Sequence, residues 1–220
     1  MPYEIYWGSG NPYSWCVLLA LEYKRLKYKS RLLEFSKREH LAPEILVMNP
    51  RGQLPILKDG DYVVYESIAI LAYLDNKDPG VPLFGSTAEE AGRIWQSVFE
   101  IENYLRDKIL GIVHPIFFDD IDDNIDSIEK SACYVRAELR ILDSLLGKSE
   151  YLTSSKISAA DIILYPLLRT LKRALEFDSA EKLDLVLSDI SKEYPNLIKW
   201  MMLIESVPGY KNTFPPNWMN

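Results

Sequence analysis

Between a short apolar run, YEIYW, and a long helix-like pattern, the chain carries Gly8-Ser9-Gly10-Asn11-Pro12, followed by Tyr13, Ser14, Trp15 and Cys16. Asparagine directly before proline is a helix-start signal. The Asn side chain accepts from amides of the first turn, and proline at the first helical position gives up no donor that the helix needs. The remaining amides and the helix dipole favour an anion, and a thiolate is one. A thiol of ordinary pKa, about 8.5, is drawn toward its nucleophilic form by a helix start together with one or two hydrogen-bond donors. Tyr6, Ser9, Asn11 and Ser14 are the donors nearest this corner, and Ser14 is also placed to complete a cap with Asn11. Cys16 lies more than a helical turn beyond it and reads as a packed core thiol. The same residues also serve as a plain strand-to-helix connection, so this stretch by itself leaves both readings open.

A second stretch, residues 40–75, carries more polar punctuation: His40, Asn49-Pro50, Arg51, Gln53-Leu54-Pro55, a hairpin turn at Asp59-Gly60, and Glu66-Ser67 opening a helix. Taken one at a time, Ser67 is a helix cap, His40 a surface histidine and Gln53 a loop residue. In this order and spacing, together with the first turn and Ser158-Ala-Ala-Asp161 further on, they resemble the cytosolic glutathione transferases over nearly the whole chain. The resemblance points to the bacterial, theta-, delta- or zeta-like members, with Asn11 where the catalytic serine or cysteine is usual.

That resemblance implies a role for each position. Pro55 is cis in the family, which frees the backbone of Leu54 to pair with the cysteinyl part of glutathione like an added strand. Ser67 and the amides of its helix receive the γ-glutamyl carboxylate, and Glu66 takes the ammonium group. His40 and Gln53 reach the glycine carboxylate, with Arg51 as a further helper. For thiol activation the resemblance favours Asn11, with Ser9 and Tyr6 as the other candidates. Relatives that form mixed disulfides place a cysteine before the helix, and Asn11 cannot take that part; the zeta-type isomerase pattern is also missing despite Ser14-Trp15. Conjugation of glutathione to hydrophobic electrophiles is the expected reaction, with glutathione as co-substrate and no metal. A glutathione-binding or protein-interaction module without turnover is the alternative. The electrophile would lie between the first turn and the helices after the linker, against Trp7, Tyr13, Tyr104, Ile112, Val113, Phe117 and Phe118.

The elements that must position these residues follow from pattern. Residues 3–7 read as a strand, 12–24 as a helix, 28–35 as a strand, 37–49 as a short irregular helix, 54–66 as a hairpin and 67–77 as a helix, which is βαβαββα. Asp78-Pro79-Gly80-Val81-Pro82 cannot continue a helix and reads as a linker. Everything after it is helical in character. The expected architecture is therefore an α/β domain over 1–77, thioredoxin-like by the resemblance, a linker over 78–86 and an all-α bundle over 87–220. In the helical part Gly147 ends one long pattern and Ser158 opens the next. Ser158 and Asp161 form a capping box flanked by the staple pair Ile157 and Ile162. Pro115 and Pro166 bend their helices, and Pro195 and Pro208 bracket the last one. The acidic run at Asp119–Asp126 lacks the glycine and glutamate of a calcium loop and reads as solvated.

With 220 residues, 48% of them hydrophobic and 26% charged, the chain has the composition of a globular protein. A net charge of −7 gives no overall attraction to nucleic acid or anionic membranes. Two cysteines without ligand-like spacing suggest neither a disulfide framework nor a zinc site. The first residues lack the pattern of a signal peptide, and no apolar run approaches the ~20 residues of a membrane span. A cytoplasmic homodimer is expected, the dimer by resemblance.

Overall fold

The computed structural model describes residues 2–183, 187 and 190–219. The chain forms two compact units, one made of residues 1–84 with 205–220 and the other of 85–204. The sequence pattern puts 87–220 in a single helical domain; in the structure residues 205–220 belong to the first unit.

In the first unit β1 (Tyr3–Trp7) buries Tyr3, Ile5 and Trp7 and leaves Glu4 and Tyr6 half-buried, the period-two pattern of a strand between unequal layers. α1 (Pro12–Tyr23) is buried continuously from Ser14 to Leu21, because it packs on β1, on α3 (Ser67–Lys77) and on α10 (Tyr210–Thr213). β2 (Tyr28–Leu32) runs parallel to β1 at one edge, and β3 (Ile56–Asp59) runs antiparallel to β1 and pairs with β4 (Tyr62–Tyr65) in a hairpin. Gly60 makes that turn at φ 62°, a left-handed conformation suited to glycine. The sheet order is β2-β1-β3-β4. A 3₁₀ turn (Glu39–Leu41) and α2 (Pro43–Met48) supply the irregular helix before β3, and Ile45 of α2 joins Leu54 and Ile56 in a small second core. β2 stops at Leu32, three residues short of the expected end. Leu33 makes one last bond to the Trp7 carbonyl, 2.8 Å, and Phe35 then folds over Gly8.

Within this unit a buried ion pair ties the end of α1 to α3 and to the segment after it. The Lys24 ammonium, its side chain 1% exposed, donates to Asp75 at 2.9 Å and to the Val81 carbonyl at 2.7 Å. The other Asp75 contacts are the amides of Leu83, 2.7 Å, and Phe84, 3.0 Å.

The second unit begins with α4 (Ala88–Glu100), which passes through a π-helical turn (Ile101–Arg106) into α5 (Asp107–Phe117). The wider turn ends on the buried Arg106, whose guanidinium Nε donates to Glu102 at 2.8 Å. Pro115 sits inside α5, which ends two residues later. α6 (Ile125–Leu146) follows the exposed acidic loop and ends at Gly147. α7 (Ala159–Leu175) is the central helix, buried from Ala159 to Leu168, and carries Pro166 without ending. Its capping box is present as expected. Asp161 also accepts from the Leu152 amide at 2.9 Å and the Trp200 indole at 2.8 Å. α8 (Ile190–Glu193) and α9 (Pro195–Glu205) follow, the latter started by Asp143 of α6, which accepts from the amides of Asn196 and Leu197 at 2.9 Å each. Among the described residues no helix is long and apolar enough to cross a membrane.

Candidate functional site

Strand register brings the sequence candidates together. Tyr6 pairs with Ile56 and Ile56 with Tyr65, so the corner after β1, the Leu54-Pro55 step before β3 and the Glu66-Ser67 step after β4 all lie at one end of the sheet. β2 is parallel to β1, so the segment leading to Phe35 and His40 leaves from that end too.

At the corner, Asn11 is the N-cap of α1: its Oδ1 accepts from the Ser14 amide at 2.9 Å. With the oxygen turned into the helix, Nδ2 is the donor that this side chain can offer outward. Ser14 is buried and holds the turn from inside, its hydroxyl oxygen accepting from the Gly8 amide at 3.4 Å. The Ser9 hydroxyl donates to Asn217 Oδ1. Tyr6 projects to the other face of β1 from Trp7 and packs against the Ile45, Leu54 and Ile56 core. Cys16 is buried, with its Sγ 3.1 Å from the Tyr13 carbonyl.

Leu54-Pro55 is cis, and both residues are buried. Among the described residues, neither the amide nor the carbonyl of Leu54 has a hydrogen-bond partner. The loop before it is built on the buried Asn49, which donates from Nδ2 to the Gln53 carbonyl at 2.8 Å and accepts from the Arg51 amide at 3.1 Å. Gly52 turns there at φ 61°, where a Cβ would lie 2.5 Å from Leu41. The Gln53 and Arg51 side chains are exposed.

At the third station Glu66, not Ser67, is the N-cap of α3. It has φ 70°, costly for a residue with a Cβ, and its side chain makes no cap bond. Ser67 is the first helical residue and buried, so its hydroxyl lies beside first-turn amides that have no partner within the helix. Such a start attracts an anion.

His40 is half-buried. Its Nδ1 is buried without a partner among the described residues, and its ring stands edge-on to Phe35, centroids 5.0 Å apart. Phe35 rests on Gly8, where a Cβ would come within 2.1 Å of the Phe35 ring, so glycine is what permits this stacking. Phe35 and Asn49 thus position the site, although their sequence context does not mark either as a site residue. Asn49 was visible only as half of a turn dipeptide. Phe35 read as the end of a strand.

Among the residues expected to line an electrophile pocket, Trp7 and Ile112 are core side chains, 6% and 0% exposed. The Trp7 indole donates to Ser30 at 2.7 Å, and Ile112 is enclosed by the helices of its own unit. Neither has surface to offer a ligand. The same holds for Val113, 1% exposed. Tyr13 is half-buried in the first unit; in the second, Tyr104 and Phe118 are exposed, and Phe117 lies against Phe177. Among the described residues no group of three His, Cys, Asp or Glu side chains is gathered to hold a metal ion.

Known proteins show the same organisation. Residues 1–76 match the family model for the glutathione S-transferase N-terminal domain, and residues 132–201 match a model for the C-terminal domain. The chain is 30% identical over 219 residues to glutathione S-transferase A of Pleuronectes platessa, covering 97% of this chain and 91% of that one. It is 27% identical over 219 residues to glutathione S-transferase 2 of Schizosaccharomyces pombe, covering 96% and 94%. The crystal structure of a glutathione S-transferase from the Antarctic clam Laternula elliptica superposes with a TM-score of 0.84 at 31% identity, over 100% of this chain and 95% of the other. With its cis Leu54-Pro55 step, its helix starts at Asn11 and Ser67, and relatives aligned over nearly their full length, the chain belongs to the glutathione S-transferase family.

Proposed function

We propose that this chain is a glutathione transferase enzyme: it binds glutathione along one end of its sheet, stabilises the thiolate at the start of α1, and joins that sulfur to a hydrophobic electrophile. The observation that carries the reading is the strand register. Strands in a sheet lie ~4.8 Å apart, so the corner after β1 and the helix start after β4, with β3 between them, are separated by about 10 Å, a span within reach of the γ-glutamyl chain and the cysteine side chain together. Glutathione is an extended tripeptide with its thiol in the middle and a carboxylate at each end. The γ-glutamyl carboxylate docks on Ser67 and the amides of α3, with Glu66 taking the ammonium group. The cysteinyl backbone pairs with Leu54 beside Pro55, and the glycine carboxylate meets His40 and Gln53. The unpartnered Nδ1 of His40 supports that last assignment.

At the corner Asn11 Nδ2 donates to the sulfur, which lowers the cost of ionising the thiol. The proton passes to solvent. The thiolate lone pair forms the carbon–sulfur bond, and for an aryl halide the halide departs with the bonding pair. Ser67→Ala is expected to weaken glutathione binding about 5- to 10-fold, through loss of a charge-assisted bond. Isothermal titration measures this, and an unchanged affinity would count against the docking scheme.

A second reading, a glutathione-binding module without turnover, is favoured by one feature: the residue before Pro12 is an asparagine whose oxygen is committed to the cap. Conjugation of a chlorinated nitrobenzene by the wild type, Asn11→Ser and Asn11→Ala separates the two. As an enzyme the wild type turns over, and Asn11→Ala loses about 10- to 100-fold in kcat/KM, the worth of a hydrogen bond to a charged group. Activity seen only in Asn11→Ser would leave the binding module.

The same reading takes the chain to be a cytoplasmic homodimer. Val47 on α2 is 86% exposed, an apolar side chain that a second copy would cover, and the two cysteines, which form no disulfide, suit a reducing compartment.

A further inference from the structure

The segment after α9 lies along α1 as a strap. At the far end of α1 Gly209 turns at φ 86° against Glu22, and Asn212 Nδ2 donates to the Glu22 carboxylate at 3.2 Å. Midway, the Trp15 indole donates to the buried Thr213 hydroxyl at 2.9 Å, and Trp15 meets Phe214 and Trp218 edge-on, with centroids 5.8 Å and 5.3 Å away. The strap ends on the corner itself. Asn217 Oδ1 accepts the Ser9 hydroxyl proton, the Asn217 backbone amide donates to the Ser9 hydroxyl oxygen at 3.4 Å, and a Cβ on Gly10 would stand 3.2 Å from Trp218 Nε1 and 3.5 Å from Asn217 Nδ2. Gly10 holds φ 75° between them.

We infer that Asn217 is a positioning residue for the thiol of bound glutathione, acting through Ser9 and Gly10 on the side chain of Asn11; this rests on the function proposed above. Ser9 is the serine that the sequence offers for thiol activation, but its proton is directed to the strap. Its place in the site is a latch. The bond fixes the backbone one residue before Gly10, and the peptide that follows carries Asn11, whose oxygen is already pinned by Ser14. With both anchors in place Nδ2 has a single direction. With the latch cut, the Ser9-Gly10 backbone regains freedom and the donor spends less time aimed at the sulfur. The docking of the two ends of glutathione, at Ser67 and at His40 with Gln53, does not depend on the latch.

The test is a double-variant cycle on the full chain: wild type, Ser9→Ala, Asn217→Ala and both together, with Ser9→Thr as the conservative replacement. Glutathione affinity comes from calorimetry, the thiolate fraction of bound glutathione from its ultraviolet absorbance at one fixed pH, and kcat and KM from conjugation of a chlorinated nitrobenzene. Each alanine variant should lower kcat and the thiolate signal about 3- to 10-fold, the worth of one neutral hydrogen bond, with glutathione KM and affinity within twofold of the wild type. The double variant should be no worse than Ser9→Ala, which already removes the bond that Asn217→Ala removes. Ser9→Thr should keep the wild-type signal. Additive losses, or an undiminished thiolate signal in Asn217→Ala, would overturn the latch while leaving glutathione binding by the wild type intact. A wild type that binds no glutathione would instead sink the functional reading and the latch with it.

Discussion

Asp161→Ala is expected to cost the chain about 3–5 kcal/mol, enough to remove most of the stability of an ordinary domain. Asp161 is fully buried and collects four donors: the Leu152 amide, the Ser158 amide and hydroxyl, and the Trp200 indole, at 2.7 to 2.9 Å. Alanine strands them inside a helical core. Each buried donor left without a partner costs about 1–3 kcal/mol. Ser158→Ala removes only one partner and should cost about 1 kcal/mol, the usual worth of a cap. Urea unfolding of the two variants measures the gap, and equal midpoints would reduce Asp161 to an ordinary cap residue. Burial raises the Asp161 pKa, so the contribution linked to its proton is full below the ordinary carboxylate range and is lost as pH rises through the raised value.

Asp75→Ala is the second large effect, again about 3–5 kcal/mol, because it leaves the Lys24 ammonium buried with the Val81 carbonyl as its one remaining partner among the described residues. The amides of Leu83 and Phe84 lose their acceptor at the same time. Removing the charge as well should recover part of the loss: Lys24→Met with Asp75→Ala is expected to unfold at a higher temperature than Asp75→Ala alone, since an apolar replacement for a buried pair is often nearly neutral. The remaining deficit belongs to the two amides. If the double variant is no more stable than the single one, the stranded charge is not the cause.

The local signals in the sequence matched the elements closely. Asn11-Pro12 starts α1, Asp59-Gly60 turns the hairpin, Ser158 with Asp161 opens α7 and Gly147 closes α6, because each is a short-range contest settled within a few residues. Ser67 shows the limit of that logic. Both readings of it, cap and ligand, use the same hydroxyl at a helix start; the structure gives the cap position to Glu66, and only this leaves Ser67 inside the first turn.

The resemblance places some apolar residues on a pocket wall that the structure buries. Trp7 and Ile112 have the composition of a pocket wall and lie in the core, because hydrophobicity alone does not distinguish surface facing a ligand from surface facing another helix. Burial reports where a side chain went after the whole chain had packed.

The sequence by itself determined the order of the elements, the helix starts and the chemistry available at each station, since capping, turn formation and amphipathic spacing act over a few residues. The tertiary structure alone decided which stations meet. Register, set by Tyr6 opposite Ile56 and Ile56 opposite Tyr65, brings three separate turns to one end of the sheet. The occupation of Ser9 by Asn217, 208 residues further on, comes from the return of the chain along α1. Contacts of that separation leave no periodic trace, because the partner is chosen by the packing of the intervening chain and not by its neighbours in sequence.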